Sequence, residues 1–287
     1  MKPPPFAYHD PQTLDDALDL LSELSWDASL LAGGQSLIPL LNMRLARPSA
    51  LIDLRRVPGL DVLDEGPEGI RMGAMVRMTA LERHAAASKA APSCLRQAIR
   101  AIGHPQIRNR TTIGGNLAHA DPASELPAVM VALDGRVGLR SRDGGTREVA
   151  AEGFFEGVLA TARRPDEVLV EAVLPTYPGR TAFVEVARRP GDFALVGACV
   201  GAVVEGPALR DVRISTCGAG DRPRRLGEAE ALAQAGEPSP SRLAEVADAV
   251  ADSVDPPSDL HASAGYRRAV AGVLVRRALE GIVGSTT

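Results

Sequence analysis

Two glycine pairs, Gly33-Gly34 and Gly114-Gly115, limit the fold of this chain more than any other feature. The first follows Ser29 to Ala32, which reads as a short strand, and precedes Leu37 to Leu45, which has the spacing of a helix. The second lies in Thr112-Ile113-Gly114-Gly115-Asn116 and reads as another break. Glycine tolerates positive φ and close backbone approach, so bends of this kind can aim main-chain N–H groups at a phosphate. Ser36, Thr112 and Asn116 would add side-chain donors. Neither pair fits G-x-G-x-x-G or G-x-x-x-x-G-K-[ST], which removes support for Rossmann and P-loop binding. The residues alone leave two readings open: a nucleotide cofactor site, or two tight turns without a ligand.

Around these bends the chain alternates helical and extended patterns. Thr13 caps a helix with Asp15 and Asp16 in its first turn and Leu14, Ala17, Leu18, Leu21 and Leu24 at helical spacing. Ala50 to Leu54 and Ile70 to Met72 read as strands, and Thr79 to Ala87 and Pro92 to Ile102 as helices. Asp121-Pro122 is expected to open a further helix, with proline at its first position. Arg136 to Arg140 and Thr146 to Val149, joined by Asp143-Gly144-Gly145, read as a hairpin. Pro175 to Arg180 changes the rhythm and is taken as a domain boundary. Beyond it three strands are expected, Thr181 to Ala187, Ala194 to Val204 and Ala208 to Cys217. Three helices follow, Leu226 to Ala235, Ser241 to Val250 and Ala262 to Ile282.

Composition excludes several classes of function. The 287 residues suffice for about two domains with cores of their own, and the net charge of -4 offers no footprint for a polyanion. Cys94, Cys199 and Cys217 are widely spaced and form no CxxC pair, so neither a disulfide framework nor an iron–sulfur or zinc site is expected within the chain. The histidines, at positions 9, 84, 104, 119 and 261, show no metal-ligand spacing, and no G-x-S-x-G elbow is present. Met1-Lys2-Pro3-Pro4-Pro5 lacks a secretory apolar core, and the longest apolar stretch is half of what a membrane span needs. A cytoplasmic location is the expectation. The arginine pairs at 163-164, 188-189, 224-225, 267-268 and 276-277 read as solvated faces or interface residues.

Four ordered segments decide between the open readings: Ala32-Gly33-Gly34-Gln35-Ser36-Leu37-Ile38-Pro39; Thr112-Ile113-Gly114-Gly115-Asn116-Leu117-Ala118 with Asp121-Pro122-Ala123-Ser124-Glu125; Ala187 to Val196; and Cys217 to Pro223. Together they resemble the FAD-binding medium subunit of molybdenum hydroxylases, the family of xanthine dehydrogenase and aerobic carbon monoxide dehydrogenase, over nearly the whole chain. The resemblance implies an α+β fold. An FAD-binding domain of the vanillyl-alcohol-oxidase/PCMH type would span residues 1–176, with subdomains of about 1–56 and 57–176. A C-terminal domain of residues 177–287 would follow, built on a three-stranded antiparallel sheet and helices.

It further implies an FAD-dependent oxidoreductase subunit with no catalytic side chain of its own, passing electrons from [2Fe-2S] clusters of a small partner through FAD to an external acceptor. A large partner would hold the molybdenum cofactor, in a heterotrimer or a dimer of heterotrimers. Main-chain amides of Ala32, Gly33, Gly34, Gln35 and Ser36, with Leu37 following, and those of Gly114 to Asn116, with Ile113 beside them, would hold the FAD diphosphate. Thr112 would add its hydroxyl. Glu125 would bind the adenosine side, Asp121 would bond loop amides, Leu169 would touch the adenine end, and Phe193 would lie beside the flavin ring.

Two departures from the resemblance carry chemistry. Gln35 stands where relatives often carry histidine, which removes a titratable group. Val184 and Glu185 stand where a lysine is common, and a negative charge there would disfavour an anionic reduced flavin. The rival reading is a stand-alone FAD-dependent oxidase or dehydrogenase with a substrate pocket on the C-terminal domain, which would need an acid or base over the ring. A subunit that had lost its flavin is the third, and the intact glycine pairs argue against it.

Overall fold

The computed structural model describes residues 1–284. The chain begins with strand β1 (Ala7–His9), helix α1 (Leu14–Leu24), strand β2 (Ala28–Leu31), helix α2 (Leu37–Asn42) and strand β3 (Ala50–Asp53). The three strands form a parallel sheet in the order β1-β3-β2. The Thr13 hydroxyl caps α1 by accepting from the Asp16 N–H at 3.0 Å. Ala17, Leu18 and Leu21 bury one face of α1 with Ile52, Leu54 and Leu60. Strand β1 went unread in the sequence because three residues after a proline run carry no measurable period.

The next segment holds strands β4 (Leu63–Gly66) and β5 (Gly69–Gly73), then helices α3 (Met78–Ala87), α4 (Ser93–Ala101), α5 (Pro105–Arg108), α6 (Ile113–His119) and α7 (Glu125–Ala132). It continues with β6 (Arg136–Ser141), β7 (Gly145–Ala150), α8 (Ala151–Phe154), β8 (Phe155–Gly157), β9 (Ala160–Thr161) and β10 (Val168–Leu174). Five of these strands make an antiparallel sheet in the order β4-β5-β10-β6-β7, with the helices packed on one face. The last segment is an antiparallel meander, β11 (Arg180–Ala187), β12 (Ala194–Glu205) and β13 (Ala208–Cys217), covered by α9 (Gly227–Gln234), α10 (Pro240–Ser253) and α11 (Ala264–Gly284). None of the described helices is long and apolar enough to cross a membrane.

Two expected breaks differ from what forms. Gly114-Gly115 does not interrupt structure: it sits in the first turn of α6, because Thr112 caps that helix and its hydroxyl accepts from the Gly115 N–H at 3.1 Å. Asp121-Pro122 does not open a helix. The Asp121 carboxylate accepts from the Ala123 N–H at 2.9 Å, closing an Asx turn, and α7 starts only after Ser124. All eight residues of α7 are buried, so this helix is packed on every side, between α4, α6 and the sheet of β12 and β13.

Several arginines taken as interface residues serve the fold instead. Arg267 is 6% exposed, donating to the carbonyls of Leu195 and Gly218 and to Asp259. Arg225 makes a bidentate pair with Glu230 and reaches Asp134 at 2.9 Å, just past the end of α7. Arg163 donates to the carbonyl of Glu167 at 2.7 Å. Arg224 stays near the surface, paired with Asp221 at 2.6 Å.

Candidate functional site

The two glycine pairs meet. A methyl group placed on Gly115 would lie 2.8 Å from the Thr112 hydroxyl, 3.4 Å from the Ala32 side chain and 3.9 Å from the Gly33 nitrogen. Gly115 therefore lets the start of α6 and its Thr112 cap come up close against the first bend, where a larger residue would crowd both the cap and the Gly33 N–H. Gly33 is itself pressed against the Arg110 carbonyl, with no room for a Cβ, and Gly34 takes φ +74. The bend between β2 and α2 thus needs glycine at both positions, for close approach at one and for conformation at the other.

The bends differ in what their amides do. Among the described residues, nothing accepts a hydrogen bond from the N–H groups of Gly33, Gly34, Gln35, Ser36 or Leu37. Ser36 precedes α2 yet makes no capping bond, which leaves its hydroxyl available. In the second segment the Ile113 N–H donates to Val76 O at 3.0 Å, Gly114 to Ala74 O at 2.8 Å, Gly115 to the Thr112 hydroxyl, and Asn116 to Thr112 O at 3.0 Å. The amides of Gly114 to Asn116, expected to face the ligand, are already spent within the protein. What this segment can offer is the Thr112 O–H and the Asn116 side chain, which is bonded to Ser124 at 2.9 Å.

Charge around the first bend is positive. Arg77 donates to the same Arg110 carbonyl that Gly33 packs against. Its pKa is lowered by burial first, and then by Arg110 and Arg55 nearby. Asp53 is fully buried and accepts from Tyr8 Oη at 2.7 Å and Arg55 Nε at 2.8 Å. No sequence signal singled out Arg55, Arg77 and Arg110, since they converge only when β3, the start of α3 and the end of α5 come together. Free amides and clustered guanidinium groups suit a dinucleotide diphosphate.

The other expected contacts fall in three places. Phe193 is 75% exposed, in the loop between β11 and β12. Leu169 is buried at 4% where β10 passes beneath α6, so it supports that helix from the core and offers no surface to an adenine ring. Glu125, 5% exposed, sits at the start of α7 against the C-terminal sheet, among Asp121, Glu185 and Cys217. Burial pushes its pKa up to about 8, and the negative charges of Glu185 and Asp121 add to the effect. Gln35 reaches only its neighbour Gly33 O, at 3.4 Å.

Comparison with known proteins identifies the family. Residues 4–177 match a family described as the FAD binding domain in molybdopterin dehydrogenase, and residues 181–282 match the CO dehydrogenase flavoprotein C-terminal domain. The chain is 40% identical to the nicotine 6-hydroxylase medium subunit of Paenarthrobacter nicotinovorans, over 97% of this chain and 98% of that protein. It is 36% identical to the carbon monoxide dehydrogenase medium chain of Hydrogenophaga pseudoflava, over 98% of both. Among solved structures it superposes on quinoline 2-oxidoreductase from Pseudomonas putida 86 with a TM-score of 0.94 at 32% identity, covering 99% of each chain. The chain therefore belongs to the FAD-binding medium subunits of the molybdenum hydroxylases, a family of FAD-dependent oxidoreductases.

Proposed function

We propose that this chain is the electron-transfer subunit of a heteromeric molybdenum hydroxylase, taking electrons from [2Fe-2S] clusters of a small partner and delivering them to an external acceptor. A large partner holds the molybdenum cofactor, and the substrate is met there. FAD supplies the conversion between one-electron and two-electron transfer. Residues 1–176 act as its binding domain, with subdomains of about 1–56 and 57–176, and residues 177–287 as the domain that closes on the ring.

In this reading the five free N–H groups from Gly33 to Leu37 hold the diphosphate, with the Ser36 and Thr112 hydroxyls beside them and Arg77 supplying positive field. Asn116, through Ser124, fixes the start of α7, and Asp121 shapes the loop between α6 and α7. Phe193 is the exposed aromatic available to cover the ring.

The observation that carries the proposal is the run of unused amides from Gly33 to Leu37, against which the second glycine pair packs at Gly115. Purified protein is expected to release about one FAD per chain and to copurify with a cysteine-rich iron–sulfur subunit. A colourless chain that cannot be reconstituted with FAD overturns the reading. So does a chain that oxidises a substrate unaided.

A further inference from the structure

One row across the C-terminal sheet has an unusual composition. Glu185 on β11 pairs with Gly197 on β12, which pairs with Cys217 on β13. Gly197 is what lets the row close up: a Cβ there would lie 2.7 Å from the Cys217 sulfur and 3.4 Å from the Glu185 Cβ. Over this row lies the start of α7 with Glu125, held because the Gly218 N–H donates to Pro122 O at 2.7 Å. One carboxylate oxygen of Glu185, Oε2, is shut off from solvent and has no hydrogen-bond partner.

The charged and titratable groups facing this seam are Asp121 from the loop before α7, Glu125 from α7, Glu185 from β11, Cys217 from β13 and, beside Cys217, Cys199 from β12 with Cys94 from α4. Among the described residues no arginine or lysine pairs with either glutamate. Burial raises Glu185 to about 7 and Glu125 to about 8, and it keeps the Cys217 thiol protonated. Such a pair lowers stability as pH climbs from the ordinary 4.5 through those values, because the unfolded chain gives up its protons first. With Glu185 Oε2 lacking any partner, the fold carries this cost without a compensating bond. The Asn116 side chain, bonded to Ser124, ties the seam to the glycine bends.

We propose that Glu125 and Glu185 form a redox-linked proton pair that takes up one proton from water when the bound flavin is reduced. This inference rests on the function proposed above. Two electrons and one proton delivered to the oxidised ring leave an anion at neutral pH. That new negative charge favours the neutral form of the pair, so one carboxylate gains a proton and becomes a carboxylic acid. Two protons, not one, then accompany each two electrons, and the flavin and the seam together gain no net charge. The electrons come from the iron–sulfur partner, or from dithionite in a titration.

The test is a spectroelectrochemical titration of the FAD-loaded chain at pH values bracketing about 7 and about 8. The slope of potential against pH is expected to correspond to two protons per two electrons, and to halve in Glu185→Gln. A reduced-minus-oxidised infrared difference spectrum of the unmutated chain should show a gain of carboxylic acid C=O absorption, independent of how any variant folds. A one-proton slope in the unmutated chain, a slope unchanged by Glu185→Gln, or no C=O gain overturns the inference alone. A chain that takes up no FAD overturns the function proposed above and this inference with it.

Discussion

The bend at Gly33-Gly34 and the helix start at Gly114-Gly115 share a dipeptide and do opposite work. In the first, the amides from Gly33 to Leu37 are left without acceptors, and Ser36 caps nothing. In the second, every amide from Ile113 to Asn116 is bonded, and Thr112 caps α6. One pair exposes donors; the other removes bulk so that two segments can touch. Paired glycines therefore do not by themselves announce an anion site. The fate of the neighbouring N–H groups separates a cradle from a packing contact.

The largest effect should come from Gly114→Val. A Cβ at 114 would stand 2.6 Å from the Ala74 Cβ and 2.9 Å from its Cα, so the variant should lose on the order of 3 kcal/mol or fail to fold, seen as a lowered Tm of the cofactor-free chain. An unchanged Tm with FAD lost would mean that Gly114 faces the ligand after all. Next is Gly115→Leu, whose Cβ would stand 2.8 Å from the Thr112 hydroxyl and whose side chain would press on Ala32 and Gly33. It should loosen the α6 cap by about 1 kcal/mol in denaturant unfolding while the chain stays folded by circular dichroism, and the Kd for FAD should rise about a hundredfold, roughly 2.7 kcal/mol. Tight binding in that variant would break the contrast between the two segments.

Two smaller substitutions sharpen the contrast. Thr112→Ala removes a cap and should cost about 1 kcal/mol in denaturant unfolding, with or without FAD. Ser36→Ala stands at the equivalent position of the other segment but breaks no capping bond. It should shift unfolding by less than about 0.5 kcal/mol and act only on FAD affinity. Equal stability losses from the two would show that both hydroxyls cap.

Much of the C-terminal half was legible because its elements are long. The continuous apolar run over 194–204, the apolar-rich stretch over 208–217 and helical spacing over 264–284 outlast local noise, and the expected bounds lie within a few residues of those that form. The short elements were not legible. Strand β4 is Leu-Asp-Glu-Gly, an edge strand with no apolar face, and β8 and β9 together span five residues. Asp121-Pro122 carries a helix-start signature, yet the Asp121 side chain satisfies Ala123 and closes a turn.

At the site, Gly33, Gly34 and Ser36 were recognisable from residue type and position. Leu169 was not placeable, since an apolar residue in a strand reads the same whether it faces a ligand or the core. The seam of Glu125, Glu185 and Cys217 joins residues 92 positions apart, and only the pairing of β11, β12 and β13 with α7 above them brings it about.

Helix α7 also constrains motion. Because it is enclosed on all sides, partly by β12 and β13, the two halves of the chain share one interior instead of meeting across a wet crevice. Rotation of one half against the other would drag Leu126, Val129 and Met130 into water, so packing fixes how the two halves sit once the chain has folded. For the same reason, a fragment ending near residue 177 would present a raw hydrocarbon surface and should precipitate when expressed alone.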